Sequence, residues 1–221
     1  MCAIFLSVSF ISCKKEKDQP ETPKVVELID DEATDTYVTF WNGDASWANS
    51  TGDWAQEISM DSWTIDGFLM GVRSYLKFEK ISQIPKGSQI LSAKLHLFPK
   101  GSSISAPQGN SGYTGSSYGL NNECKIERVI GGAWDEATLT WNTQPAVTGT
   151  DATIIPASTS QWQYGVEVDV TEMVKAMALE PEKNYGFRIS LASEDTYRSM
   201  IFASSENVNV ELRPELVIKY Q

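Results

Sequence analysis

Histidine is nearly missing from this 221-residue chain: His96 stands alone. One imidazole makes a Ser-His-Asp triad unpersuasive. Cysteine is scarce as well, with Cys2, Cys13 and Cys124 only. Two of these fall in the first thirteen residues, so no disulfide framework is available, and one remaining thiol cannot supply the two to four Cys or His ligands of a zinc site. No stretch approaches the ~20 consecutive apolar residues that cross a bilayer. A GxSxG elbow, a P-loop, an HExxH helix and an EF-hand loop are all lacking. Cations are outnumbered, 18 Lys and Arg against 29 Asp and Glu, for a net charge of -11. Such a surface repels phosphate backbones and anionic headgroups, which excludes nucleic acid as a partner. Carboxylates are plentiful and a glycosidase needs only two, yet plenty is what any solvated acidic surface provides. No catalytic residue is assigned, and the chain reads as something other than an enzyme.

What is present begins with a short apolar run at 3–11 (AIFLSVSFI) ending on Ser12-Cys13 and followed by Lys14, Lys15, Glu16 and Lys17. The run has the length of a signal-peptide core with a small residue before the cleavage point. It resembles a bacterial lipoprotein signal, which implies a lipid on Cys13, attachment to the membrane only through that lipid, and a place in the cell envelope, on the outer membrane or cell surface. Residues 14–33 are rich in charge, carry Pro20 and Pro23, and lack aromatics. They cannot bury enough surface to order themselves and are expected to be a disordered tether. The rest, 34–221, suits one large all-β domain with its own core.

From Thr34 onward the pattern is short strands and turns. Residues 36–40 (TYVTF) are β-branched and aromatic. Residues 74–78 (SYLKF) and 90–98 (ILSAKLHLF) alternate, the second placing Ala93, Leu95 and Leu97 opposite Lys94, His96 and Phe98. Further strands are expected at 125–129, 138–141, 165–170, 185–191, 200–203 and 215–220. Gly, Ser, Asn and Pro clusters separate them, the longest at 101–119. Many short strands with such spacers predict an antiparallel β-sandwich or jelly roll. One short helix is expected over 171–179, with Met173, Val174, Met177 and Ala178 on one face, Thr171 as N-cap and Pro181 as the stop.

Six pieces, in order, resemble the DNRLRE domain: Arg73-Ser74-Tyr75-Leu76-Lys77-Phe78; Ile84-Pro85-Lys86-Gly87 with Ile90-Leu91-Ser92-Ala93-Lys94-Leu95; Trp134-Asp135-Glu136 through Trp141-Asn142-Thr143-Gln144-Pro145; Val168-Asp169-Val170-Thr171; Asn184-Tyr185-Gly186-Phe187; and 198–206 with Arg213-Pro214-Glu215-Leu216. That family is related to carbohydrate-binding modules with alginate-binding members. The resemblance implies a jelly roll and a glycan ligand. The eponymous hexapeptide is replaced by Asp195-Thr196-Tyr197-Arg198-Ser199-Met200, so no particular ligand is carried over. In these motifs Trp134 and Trp141 read as rings that pack a corner. Arg73 with Glu79, and Arg198 with Glu206, read as cross-strand ion pairs.

The candidate binding residues lie elsewhere. Trp41, Trp47, Trp54 and Trp63 crowd into residues 41–66 beside Asp44 and Asp53. Indole faces stack on the C–H faces of sugars while carboxylates accept hydroxyl hydrogen bonds; the same rings could instead plug the edge of a sandwich. Tyr113 and Tyr118, in the Gly/Ser-rich insertion, could form a second lip. Asp30, Asp31, Asp35, Asp44, Asp66 and Glu206 could supply oxygens to a structural calcium ion, though their spacing specifies no site. Cys124 reads as a small buried hydrophobe. Three functions are compatible: a surface carbohydrate-binding module, favoured here; a structural or adhesive domain with a surface-protein partner; and, least, a polysaccharide hydrolase or lyase. The acidic balance argues against a polyanion such as alginate unless a basic patch or calcium bridges it.

Overall fold

Polar–apolar alternation resolves into two facing antiparallel sheets in the computed structural model, which describes residues 24–52, 56–113, 115–118 and 121–221. Among these residues there are eleven strands and one α-helix. The strands are β1 (Val26–Asp30), β2 (Ala33–Trp41), β3 (Glu57–Ile65), β4 (Phe68–Phe78), β5 (Ile90–Leu97), β6 (Cys124–Val129), β7 (Val147–Ile155), β8 (Val166–Asp169), β9 (Phe187–Leu191), β10 (Arg198–Ala203) and β11 (Glu215–Tyr220). The smaller sheet runs β1-β11-β5-β8 and the larger β10-β3-β4-β9-β6-β7, with β2 also paired to β4. The expected antiparallel sandwich of jelly-roll class is therefore what forms. No helix of the described residues is long and apolar enough to cross a membrane.

The core lies where the sheets face each other. Ala93, Leu95, Leu97, Val168, Leu216 and Ile218 of the smaller sheet meet Ile58, Met60, Leu76, Phe78, Ile126, Phe187, Ile189 and Phe202 of the larger. Apolar burial on this scale is the main favourable term in the fold. The helix α1 (Thr171–Leu179) closes one end by burying Met173, Val174 and Met177. Cys124 is fully buried in the same core, as expected, and burial pushes its thiol well above the ordinary value.

Several expectations need correction. The segment read as a tether is a strand at its end: Val26–Asp30 pairs along its length with β11, so the ordered domain starts before Thr34. Glu27 is exposed and pairs with Lys219, which lets a charged sequence add a strand to a sheet edge. The strand expected at 138–141 is instead a turn leading into a 3-10 helix at Trp141–Thr143, closed by mutual hydrogen bonds of the Thr140 and Thr143 hydroxyls. Besides β1, two further strands lie outside the expected set, β3 and β7. An Asp66-Gly67 turn, both residues left-handed, folds β3 back onto β4, the preferred chemistry for a two-residue hairpin. Thr171 is the first helical residue rather than the cap; Asp169 Oδ1 accepts from its N–H, and its own hydroxyl accepts from Ala93 N. The proposed ion pairs re-partner: Arg73 binds Glu194, Arg198 binds Asp195, and Glu79 takes Lys77.

Candidate functional site

β2, β3 and β4 lie side by side, and their register aligns side chains in rows. Thr39 is opposite Val72, and Val72 is opposite Asp61. One step along, Trp41 is opposite Met70 and Met70 opposite Trp63. Because a pleated strand sends alternate residues to one face, these two rows share a face. They floor a cleft of about 500 Å3 lined by Tyr37, Thr39, Ser59, Asp61, Ile65, Met70 and Val72. That volume falls within the range usual for ligand sites.

The walls come from two loops. On one side a 3-10 helix, Ala45–Asn49, carries Trp47, with Ser50 and Thr51 after it. Asp44 accepts from Ser46 N (2.9 Å) to cap that helix, and the two backbone and side-chain bonds to it hold the Asp44 carboxyl below its ordinary value. The loop returns to β2 at Gly52, whose carbonyl accepts from Tyr37 N (3.2 Å) and the Thr36 hydroxyl (3.0 Å). A Cβ at Gly52 would sit 2.3 Å from Tyr37 O, so only glycine fits. On the other side the insertion after β5 contributes Ile104 and Ser105. It is pinned by polar contacts: Ser103 Oγ donates to Glu57 Oε1 (2.8 Å), Ile201 N donates to Asn110 Oδ1 (2.8 Å), and Ser199 N donates to Ser111 Oγ (2.7 Å). Asn110 and Ser111 thereby occupy hydrogen-bonding positions along β10, at the sheet edge, where an unpaired strand would otherwise remain.

A second hollow of about 290 Å3 continues the first, sharing Asp61, Ile65, Met70, Ile104 and Ser105 and adding Trp63, Gln108 and Ser199. The cleft thus has a tryptophan at either end. Behind Trp47 lies Trp41, ring to ring at 5.3 Å, with its Nε1 donating to Ile65 O (3.2 Å). Trp63 is met edge-on by Tyr118 at 4.7 Å and Tyr197 at 5.2 Å. Edge-on packing of this kind fixes ring orientation before any ligand arrives.

Asp61 is the unusual group. It is 4% exposed; Oδ2 accepts from the Ser59 hydroxyl (2.7 Å), while Oδ1 is buried without a hydrogen-bond partner. Burial, and secondarily the charge of Glu57, pushes its carboxyl up to about 7. Glu57 is likewise pushed up to about 7 by burial, against the bond from Ser103.

Of the residues expected from the sequence, Trp47 and Trp63 line the cleft, Trp41 buttresses it, and Asp44 caps the helix beneath Trp47 instead of lining it. Trp54, Asp53 and Cys13 lie outside the described residues. Tyr118 does stand beside Trp63. Asp61, Ser59, Tyr37 and Ile104 were missed. The alternation Glu57-Ile58-Ser59-Met60-Asp61 is the available signal for the strand, since period two runs through it.

The calcium candidates do not assemble. Asp30 accepts from Lys80 N (2.7 Å) and Glu32 N (3.2 Å); Asp31 pairs with Lys80; Asp66 is in the hairpin turn; Asp35 accepts from Ser205 N (2.6 Å). Asp35 and Glu206 do share a small hollow with Glu57 and Glu136, where burial and then the Glu206 charge push Asp35 up to about 7. Among the described residues no group of three or more His, Cys, Asp or Glu could hold a metal ion.

The motif residues form a scaffold on the other face of β4. Arg73 grips Glu194 with two bonds (2.7 and 2.9 Å), lies 4.4 Å over the Trp141 ring and reaches Gln144. Trp134 is buried and donates to Tyr185 O (2.7 Å). Asn142 donates to Asn49 (2.9 Å), so this scaffold also steadies the helix that carries Trp47.

The sequence profile of carbohydrate-binding module family 96 matches residues 31–220, and the chain belongs to that family. No curated protein matches the chain.

Proposed function

We propose that this member of carbohydrate-binding module family 96 is a non-catalytic glycan-binding protein of the cell surface. Its ligand lies in the cleft between Trp47 and Trp63, and a lipid on Cys13 anchors the chain. The observation that carries the reading is the cleft itself: two indoles at its ends, apolar Met70 and Val72 in its floor, and hydroxyls of Thr39, Ser59 and Ser105 around one buried, half-satisfied carboxyl. Sugars present apolar C–H faces to rings and hydroxyls to such polar groups, and a few placed polar groups in an apolar hollow fix orientation. The likeness of the ordered motifs to DNRLRE domains agrees with this, since Asn142 of one motif donates to Asn49 and so steadies the helix that carries Trp47.

The test is binding to a panel of soluble oligosaccharides by titration calorimetry, with Trp47→Ala and Trp63→Ala alongside the unaltered chain. Binding that each substitution weakens, with unchanged melting, supports the reading. Glycan binding indifferent to both substitutions would move the site elsewhere.

A further inference from the structure

We infer that the floor of the cleft is an acyl pocket, which takes the methyl of an acetyl group carried by the bound sugar. This rests on the reading of the cleft as a glycan site and adds the substituent that the glycan bears.

β4 pairs with β2 in unbroken register from Met70 to Phe78, so Met70, Val72, Leu76 and Phe78 all project from one face. Leu76 and Phe78 are covered by the smaller sheet in the main core. Met70 and Val72 cluster instead with Tyr37, and the side chains packed against that cluster, Trp41, Trp63 and Ile65, all come from the larger sheet. The inner face of the sheet therefore runs out past its covering layer, and its apolar lining continues into the cleft. Met70 and Val72 each keep 8% of their surface open. Apolar surface left wet at the bottom of a hollow gains stability when a matching apolar group covers it.

The polar residues of the cleft divide by exposure. Ser59 and Asp61 are 2% and 4% exposed and bond to each other, so they offer a ligand almost no surface. The hydroxyl-bearing residues with open surface are Ser50, Thr51 and Ser105, on the two loops that wall the cleft. A bare sugar ring pressed to the floor would strip its hydroxyls of water against Met70 and Val72, and a hydroxyl buried without a partner is costly. A methyl loses no hydrogen bond there. An acetyl ester meets both demands: its methyl matches the floor, and the sugar that bears it stays between Trp47 and Ile104, beside the wall hydroxyls. The substituent is uncharged, so the pocket is indifferent to whether the sugar backbone is neutral or a uronate.

The experiment titrates the whole chain with xylohexaose, mannohexaose and a mannuronate hexamer, each plain and partly O-acetylated. At least one acetylated form should bind ~4-fold or more tighter than its plain partner, the worth of one buried methyl. Mild alkali, which removes the esters and leaves the backbone, should abolish the gain. Val72→Thr, which sets a hydroxyl in the floor, should abolish it too while leaving the affinity for the plain form unchanged. In the unaltered chain, nuclear Overhauser effects should connect the acetyl methyl to the methyls of Met70 and Val72, and this readout decides the matter if Val72→Thr does not fold. Equal affinity for plain and acetylated forms overturns the inference and leaves the glycan reading standing. So does an acetyl gain that survives in folded Val72→Thr or that comes without the Met70 and Val72 contacts. No binding by any hexamer overturns both.

Discussion

Asp61→Asn offers the sharpest physical test of the cleft floor, through the pH dependence of stability. In the folded chain the Asp61 carboxyl titrates at about 7 because it is buried; in the unfolded chain it returns to the ordinary aspartate range near 3.9. The folded state therefore keeps the proton longer. The stability linked to this group is complete below about pH 4, then falls as pH rises toward 7, and is lost above it. Within that window one such carboxyl contributes a slope of ~1.4 kcal/mol per pH unit. Asparagine has the same shape and no proton to lose. Urea unfolding at pH 5, 6, 7 and 8 should show the unaltered chain losing stability with rising pH, and Asp61→Asn losing it less steeply by about that slope between pH 5 and 7. Asp35 and Glu57, both pushed up to about 7 by burial, keep the residual fall of the variant in the same direction. Parallel profiles for the two proteins would refute the claim that Asp61 is held protonated by its surroundings.

Trp134→Ala should cost ~3–5 kcal/mol in urea unfolding, since it empties a buried ring site and orphans Tyr185 O. The same substitution should leave glycan affinity unmoved. Trp47→Ala should do the reverse, lowering affinity by ~1–3 kcal/mol in calorimetry, with little loss of melting temperature because the ring is half-exposed at the cleft wall. Asn110→Ala removes the acceptor for Ile201 N and should cost ~1–3 kcal/mol, with faster amide exchange confined to β10 and the insertion. For the anchor, mass spectrometry of the membrane fraction should find a lipidated fragment beginning at Cys13; a wholly soluble chain with Met1 intact would refute that part of the proposal.

The fold was legible because its signal is local. Ala93, Leu95 and Leu97 alternate with polar neighbours, and Phe187, Ile189 and Leu191 do likewise, and all six are buried in the shared core. The helix was legible from its apolar stripe. β1 was not, because its charges pair across to β11, nearly two hundred residues onward in the chain, and composition alone reads them as solvated. The same distance hides the ion pairs: Arg73 finds Glu194 rather than the nearer Glu79. Within the cleft, the tryptophans announced themselves by density, but Asp61 did not. An aspartate alternating with apolar residues normally marks a solvent face. It is buried here in the floor of a hollow that Tyr37 of β2 and Ile104 of the insertion also line, a placement that depends on register between distant segments. Asp44 misled for the opposite reason, as a capping aspartate and a ligand aspartate look alike in sequence.

The central claim is that glycan occupies the Trp47–Trp63 cleft, and the indole N–H signals of the chain's seven tryptophans report on it directly by 15N NMR. On titration with a bound oligosaccharide, the Trp47 and Trp63 signals should shift progressively while those of Trp134 and Trp141 stay in place. Shifts at Trp134 and Trp141 with Trp47 and Trp63 unmoved would put the ligand on the Arg73 face of the sheet and contradict the account.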